Sequence, residues 1–442
     1  MKTDLRTRHL AILITAEAVL SASLAASPTP GEDWPRWRGP HGDGTWTETG
    51  LLKEFSGPSL EPVWRVEVSS GYSGPTVAGG LVYLTDRIDE PDEVERVLCF
   101  DAEDGSPIWE HEYDCRYEGV GYEAGPRANV LISDERAYAL GTMGHLHCFD
   151  APSGELEWSK DLRAEYDIQM PIWGISASPI VEKDLLIVPT SGKNASVVAF
   201  DRKTGEERWR ALPDRGNYAS PLVIDQAGRR VMVHWTGDRV LGLAPESGDV
   251  LWEYPFKSKR MPLGVASPVM HEGRLFLTGF YDGCLLLRVD PKKLAVEKLW
   301  ARCGQNERST DGLHSIISTP VLLGAHIYGV DSYGEFRCLS LATGDRVWED
   351  QTAVPRARWA TIHFVQNGDT TWMFNERGEL LIGQLSPDGF EEKSRTKLLE
   401  PTRGQLERRG GVCWSHPAFA NQHVFARNDV ALVCASLRAD PE

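Results

Sequence analysis

The stretch Asp101-Ala102-Glu103-Asp104-Gly105-Ser106-Pro107-Ile108-Trp109 decides the fold, because it recurs down the chain. It returns as Asp150-Ala151-Pro152-Ser153-Gly154-Glu155-Leu156-Glu157-Trp158. It returns again as Asp201-Arg202-Lys203-Thr204-Gly205-Glu206-Glu207-Arg208-Trp209. Weaker copies carry Ala244, Gly248 and Trp252, then Ser340, Gly344 and Trp348. A copy with two extra residues runs from Asp290 to Trp300, and Trp64 sits in an equivalent Pro62-Val63-Trp64-Arg65 segment. The tryptophans are spaced by 45, 49, 51, 43, 48 and 48 residues. Among repeat classes that period belongs to propeller blades. The aspartate can close an Asx turn and the glycine supplies the positive φ of a tight hairpin. The tryptophan then falls on the outermost strand, where its ring can fill the wedge between blades.

A second mark precedes each apolar inner run: Gly74-Pro75, Gly125-Pro126, Ser178-Pro179, Ser220-Pro221, Ser267-Pro268, Thr319-Pro320 and His416-Pro417. Beyond Trp348, two further intervals of about 47 residues reach Lys393-Ser394 and Leu437. The seventh unit has lost its tryptophan, and the eighth ends before an outer strand can form. The segment around Trp64 is an outer strand without a blade. Circular closure solves both, since it leaves no open edge at the seam. The spacing therefore predicts an all-β, eight-bladed propeller of four-stranded antiparallel blades, closed by the amino-terminal strand. Its expected limits are 61–438, after an export signal at 1–26 and an irregular arm at 27–60. The signal reading rests on Lys2, Arg6 and Arg8 before the apolar run Leu10–Ala26, and on small residues at Ser23-Leu24-Ala25. Glu17 interrupts that run.

Composition narrows the function classes. The 442 residues hold 47 Lys plus Arg against 64 Asp plus Glu, a net charge of −17. That balance argues against general affinity for nucleic acid or anionic membranes. No other stretch is apolar enough to span a bilayer once the signal is removed. The eight cysteines form no CxxC or CxxCH motif, which leaves a zinc ribbon, attached haem and thioredoxin-like site unsupported. Cys99, Cys148, Cys338 and Cys434 hold one position in four blades and read as small core residues. Cys115, Cys303 and Cys413 lie in crossing loops, free to pair or not. No nucleophile elbow, P-loop, dinucleotide fingerprint or HExxH motif is present. The acidic run from Asp86 to Glu95 lacks EF-hand order and reads as a solvated hairpin loop.

On these copies the chain resembles the pyrroloquinoline-quinone (PQQ) repeat propellers, over roughly residues 34–438. That group includes quinoprotein alcohol dehydrogenases and the propeller lipoprotein of the outer-membrane assembly machine. The leader Trp34-Pro35-Arg36-Trp37-Arg38-Gly39-Pro40, with Asp43-Gly44, looks like a subgroup of exported bacterial propellers, as does Trp173-Gly174-Ile175-Ser176-Ala177-Ser178-Pro179. Fold alone does not give function in such a group. A quinone dehydrogenase would need Ca²⁺, a carboxylate base and a stacking ring. The family's enzymes also carry an adjacent cysteine pair, which this chain lacks. Glu118, Glu123, Asp167 and Asp311 lie in crossing loops without clear metal spacing.

Propellers usually bind at one channel mouth, on loops joining each outer strand to the next inner strand. Those loops carry Tyr122, Arg127, Trp173, Tyr218, Arg260, His314, Arg358, Trp359, Arg408, Arg409, Trp414 and His416. Residues 394–416 hold five basic and two acidic side chains, a local +3 in an acidic chain. A basic, aromatic mouth suits a planar anion, with rings stacking and guanidinium forks holding carboxylates. The same residues also fit a simple plug with solvated arginines. The expected function is an exported (periplasmic or extracellular), monomeric, non-catalytic scaffold that holds a protein, peptide or small anionic ligand, with no metal and no cofactor. The alternative is a PQQ- and calcium-dependent alcohol or sugar dehydrogenase. A third is a carbohydrate-binding propeller, although no catalytic carboxylate pair stands out.

Overall fold

The computed structural model describes residues 31–439. The expected signal at 1–26 lies outside the described residues. Eight four-stranded antiparallel sheets follow one another. Blades 1 to 7 span 76–114, 131–161, 180–211, 222–255, 269–302, 321–350 and 362–397, and blade 8 spans 418–436. Its fourth strand is the amino-terminal segment Trp64–Glu67, which pairs antiparallel with the chain's last strand through Trp64 opposite Cys434 and Glu67 opposite Ala431. Among the described residues no helix is long and apolar enough to cross a membrane.

The repeated motif builds the contact between blades. In blade 1 the Asp101 carboxylate accepts from the Glu103 N–H at 2.7 Å, and Gly105 turns the chain at φ +76°. A Cβ added to Gly105 would lie 2.8 Å from the Trp64 ring of the preceding blade. Gly154 stands in the same way against Trp109, Gly205 against Trp158, Gly248 against Trp209 and Gly344 against Trp300. Each ring also donates its Nε1–H across the gap. Trp64 reaches the Ala102 carbonyl at 3.0 Å, Trp109 that of Ala151 at 2.8 Å, Trp209 that of Pro245 at 3.0 Å and Trp300 that of Leu341 at 2.9 Å. Trp158 and Trp348 do the same to Arg202 and Ser386. One tryptophan thus fills apolar space and satisfies a carbonyl of its neighbour.

Two blades depart from the rule and are repaired. The longer turn of blade 5 moves its carbonyls away from Trp252. Gln226 bridges the gap, accepting from Trp252 at 2.7 Å and donating to the carbonyls of Asp290, Lys293 and Ala295. In blade 7, Ser394 occupies the tryptophan position opposite Ile382. The arm supplies the missing ring: the Phe55 N–H donates to Ser394 Oγ at 2.8 Å, and its ring packs 6.1 Å from Trp372.

Hydrogen bonds between residues at the start of several inner strands tie neighbouring blades together around the channel. Backbone N–H groups of Asn129, Ser178 and Ser267 donate to the hydroxyls of Ser178, Ser220 and Thr319 in the next blade. In blade 2 this position belongs to Asn129-Val130, not to Gly125-Pro126 as the sequence pattern suggested, since the inner strand starts at Leu131. The acidic run from Asp86 to Glu95 also differs from expectation. Its ends lie on facing strands, and Asp86 and Glu95 are fully buried, with Asp86 paired to Arg96 at 2.7 Å. All eight cysteines are free and seven are buried; Cys303 is partly exposed. Cys99, Cys148, Cys338 and Cys434 stand directly opposite tryptophans 109, 158, 348 and 64, where a small side chain leaves room for the ring.

Candidate functional site

The crossing loops bring their aromatic residues to the channel axis. Tyr122 lies 5.9 Å from Trp173, 5.5 Å from Trp359 and 6.3 Å from Trp414, and Trp173 lies 5.3 Å from Tyr218. Tyr122 and Trp359 both have positive φ, which turns the loop inward at each ring. The rings crowd the mouth around a cavity of about 140 Å³.

The floor is Trp37, from the amino-terminal arm. Its Nε1–H donates to Ser267 Oγ at 2.9 Å, and its ring stands edge-on to His416 at 4.4 Å. Trp34 anchors this arm by exchanging backbone hydrogen bonds with Val77 at 2.8 and 2.9 Å. The channel is thus a blind pocket that opens through the aromatic mouth.

Two histidines stand in the wall. His416 Nε2 is hydrogen-bonded to Asn129 Oδ1 at 2.8 Å, and His363 Nε2 donates to the Trp414 carbonyl at 2.8 Å. Burial, with His363 nearby, lowers the pKa of His416 to about 3, and burial lowers that of His363 to about 4. Both rings are neutral at physiological pH. Tyr218 is pushed up to about 12 by burial.

Of the twelve residues singled out by sequence, Tyr122, Arg127, Trp173, Tyr218, Trp359, Trp414 and His416 line this one cavity. The others do not. His314 is buried behind the mouth, between the Gly304 N–H and the Phe280 carbonyl. Arg260 is exposed and lies 5.0 Å over the Tyr281 ring. Arg358 forms a two-pronged pair with Glu307 at 2.9 and 3.0 Å, and Arg409 pairs with the buried Glu376 at 2.9 Å. The Arg408 side chain is outside the described residues. Arg127 lines the cavity, but its terminal nitrogens donate to the carbonyls of Gly121, Tyr122 and Gly125 and to the Thr142 hydroxyl. It ties down its own crossing loop. Of the guanidinium forks expected to hold an anion, those of Arg127, Arg358 and Arg409 are thus engaged within the protein.

Sequence reasoning missed Trp37, Tyr72, Ser176 and His363, which also line the cavity. The doubled tryptophan of the leader was a signal for Trp37, but nothing local places it under the channel. Among the described residues no group of three or more His, Cys, Asp or Glu could hold a metal ion.

A family model, PQQ_2, described as outer membrane protein assembly factor BamB, matches residues 93–350. An outer membrane protein assembly factor BamB of Shewanella oneidensis is 22% identical over 237 residues, covering 52% of this chain and 58% of its own length. A 1-butanol dehydrogenase (quinone) of Thauera butanivorans is 26% identical over 169 residues, covering 35% of this chain and 26% of its own length. The chain therefore spans less than two thirds of either relative. Among solved structures, BamB from Moraxella catarrhalis superposes with a TM-score of 0.58 at 16% identity, covering 85% of this chain and 99% of its own. Quinohemoprotein alcohol dehydrogenase from Comamonas testosteroni gives 0.60 at 11% identity, covering 93% and 81%. These likenesses show the shared propeller fold. By the match over 93–350, the chain belongs to the PQQ_2 family of BamB-like propellers.

Proposed function

We propose that this chain is an exported, non-catalytic binding propeller that holds a partner or ligand at its aromatic channel mouth. The observation that carries this is the cavity wall itself. Among the described residues it contains no aspartate or glutamate, and its two histidines are neutral and hydrogen-bonded. Such a wall offers neither a carboxylate base nor a cation site. Relatives named as outer membrane protein assembly factors support a scaffold role.

The dehydrogenase alternative places demands that the residues do not meet. Ca²⁺ takes about six to eight oxygen ligands with carboxylates among them, whereas the wall's oxygen-bearing side chains are the hydroxyls of serines and tyrosines. The quinone is a tricarboxylate, and the guanidinium groups of Arg127, Arg358 and Arg409 are already engaged. The cavity therefore does not fit that cofactor or its metal.

The test is a calorimetric titration of the full chain with pyrroloquinoline quinone, with and without Ca²⁺, beside a dye-reduction assay on primary alcohols. The expected result is no calcium-dependent saturation and no turnover. Tight calcium-dependent binding with dye reduction would overturn the reading. Filling the mouth with Val265→Phe should then abolish retention of whatever partner the wild type holds from periplasmic extract. Retention unchanged by that substitution would place the binding surface elsewhere.

A further inference from the structure

We propose that the mouth cavity takes a small, uncharged, single-ring aromatic molecule bearing a hydroxyl or carbonyl group. This rests on the binding reading above and names its ligand class.

Size comes first. An apolar cavity of about 150 Å³ accommodates one benzene-sized ring, and this cavity is about 140 Å³. The walls are ring faces and edges from Tyr122, Trp173, Tyr218, Trp359 and Trp414, with Trp37 as floor. Aromatic rings pack favourably on such walls in tilted or edge-on arrangements, and the wall rings already pack on one another in that way.

Charge comes second. Among the described residues, Arg127 is the one arginine or lysine in the wall, and its terminal N–H groups point at backbone carbonyls and a hydroxyl. A carboxylate entering the cavity would lose its water without gaining a fork, which is costly. A cation would find no carboxylate among the described wall residues. A neutral ligand avoids both penalties.

The polar requirement comes third. Trp359 Nε1 and Ser176 Oγ are buried in the wall with no hydrogen-bond partner among the described residues. Buried polar groups are normally paired, and an unpaired one calls for an explanation. A ligand in the cavity can offer them an oxygen, which accepts from the Trp359 Nε1–H or exchanges a hydrogen bond with Ser176 Oγ. His363, also in the wall, spends Nε2 on the Trp414 carbonyl, so its neutral Nδ1 remains an acceptor for a ligand hydroxyl. A phenol matches this pattern of one ring, one donor and one acceptor.

The experiment is ligand-observed saturation-transfer NMR on the full chain, with phenol, benzoate and toluene as probes. Phenol should bind saturably, and benzoate at least tenfold more weakly. Ser176→Ala should weaken phenol several-fold and leave toluene unchanged, because it removes the hydroxyl and keeps every ring of the wall. Ser176→Phe, or Val265→Phe if the first fails to fold, should abolish phenol binding by filling the space. Benzoate binding as tightly as phenol, yet lost in the filled variants, would overturn the charge argument and leave the mouth site standing. Phenol binding that survives both filled variants would move the ligand out of this cavity. No binding of any ring, with partner retention still blocked by Val265→Phe, would overturn the ligand class alone.

Discussion

Replacing Gly154 by alanine tests whether the tryptophan–glycine contact holds neighbouring blades together. Gly154 has φ +73°, and an added Cβ would lie 2.5 Å from the Trp109 ring and 3.0 Å from its Cβ. Two costs follow. The left-handed conformation costs an alanine about 1–2 kcal/mol. Displacing a packed ring costs about 1–3 kcal/mol more, since Trp109 is fixed by its bond to the Ala151 carbonyl at 2.8 Å. Gly228 supplies the control. It has φ +75°, and nothing lies within 4 Å of the added Cβ. Gly228→Ala therefore carries the backbone cost without the clash. The lower entropy of the unfolded chain, worth about 0.4–1 kcal/mol, is common to both and cancels. The difference between the two variants in urea unfolding, followed by near-ultraviolet circular dichroism, should be about 1–3 kcal/mol. Equal destabilisation would refute the claim that the glycine is there to receive the ring.

Two further substitutions probe the repairs and the buried charge state. Gln226→Glu keeps the size of the side chain but cannot donate to the carbonyls of Asp290, Lys293 and Ala295, so a loss of about 2–3 kcal/mol is expected in the free energy of urea unfolding. His234 is fully buried, its Nδ1 has no partner among the described residues, and burial lowers its pKa to about 4. Its unfolded value is about 6.5, so the unfolded chain takes up the proton first. The stability contribution is complete above pH ~6.5 and is lost as pH falls towards ~4, at about 1.4 kcal/mol per unit. His234→Leu should therefore lose about 2 kcal/mol less than wild type between pH 7 and pH 5. Identical pH profiles would show that this histidine does not charge on unfolding.

The blade count was legible because each motif records both halves of a contact: the glycine receives one ring and the tryptophan delivers the next. Where another residue performs the same task, the record fails. Asn129 donates and accepts as a serine would, so the proline mark pointed to Gly125-Pro126 instead. Gln226 compensates for a turn that is two residues longer in the next blade, and nothing in its own neighbourhood announces that. Phe55 takes a tryptophan's place from 339 residues away in sequence. These are tertiary substitutions of one chemistry by another, and a linear pattern holds no trace of them.

The site shows the same limit in its charges. Aromatic residues of the crossing loops could be placed, because propeller geometry carries each loop to the axis wherever its strand begins. The engagement of the arginines could not be read, because a charge count along the chain ignores what packs beside it. Residues 394–416 sum to +3 in sequence. In space, Arg395 meets Glu379 at 2.8 Å and Arg409 meets Glu376 at 2.9 Å, both carboxylates standing outside that window. Arg358 likewise meets Glu307 from another loop. Each buried or half-buried guanidinium needed a partner near at hand, and the fold provided one. With Arg127 tied to its own loop, what the cavity wall leaves unpaired is rings, hydroxyls and neutral imidazoles, the surface that the proposed neutral ligand would meet.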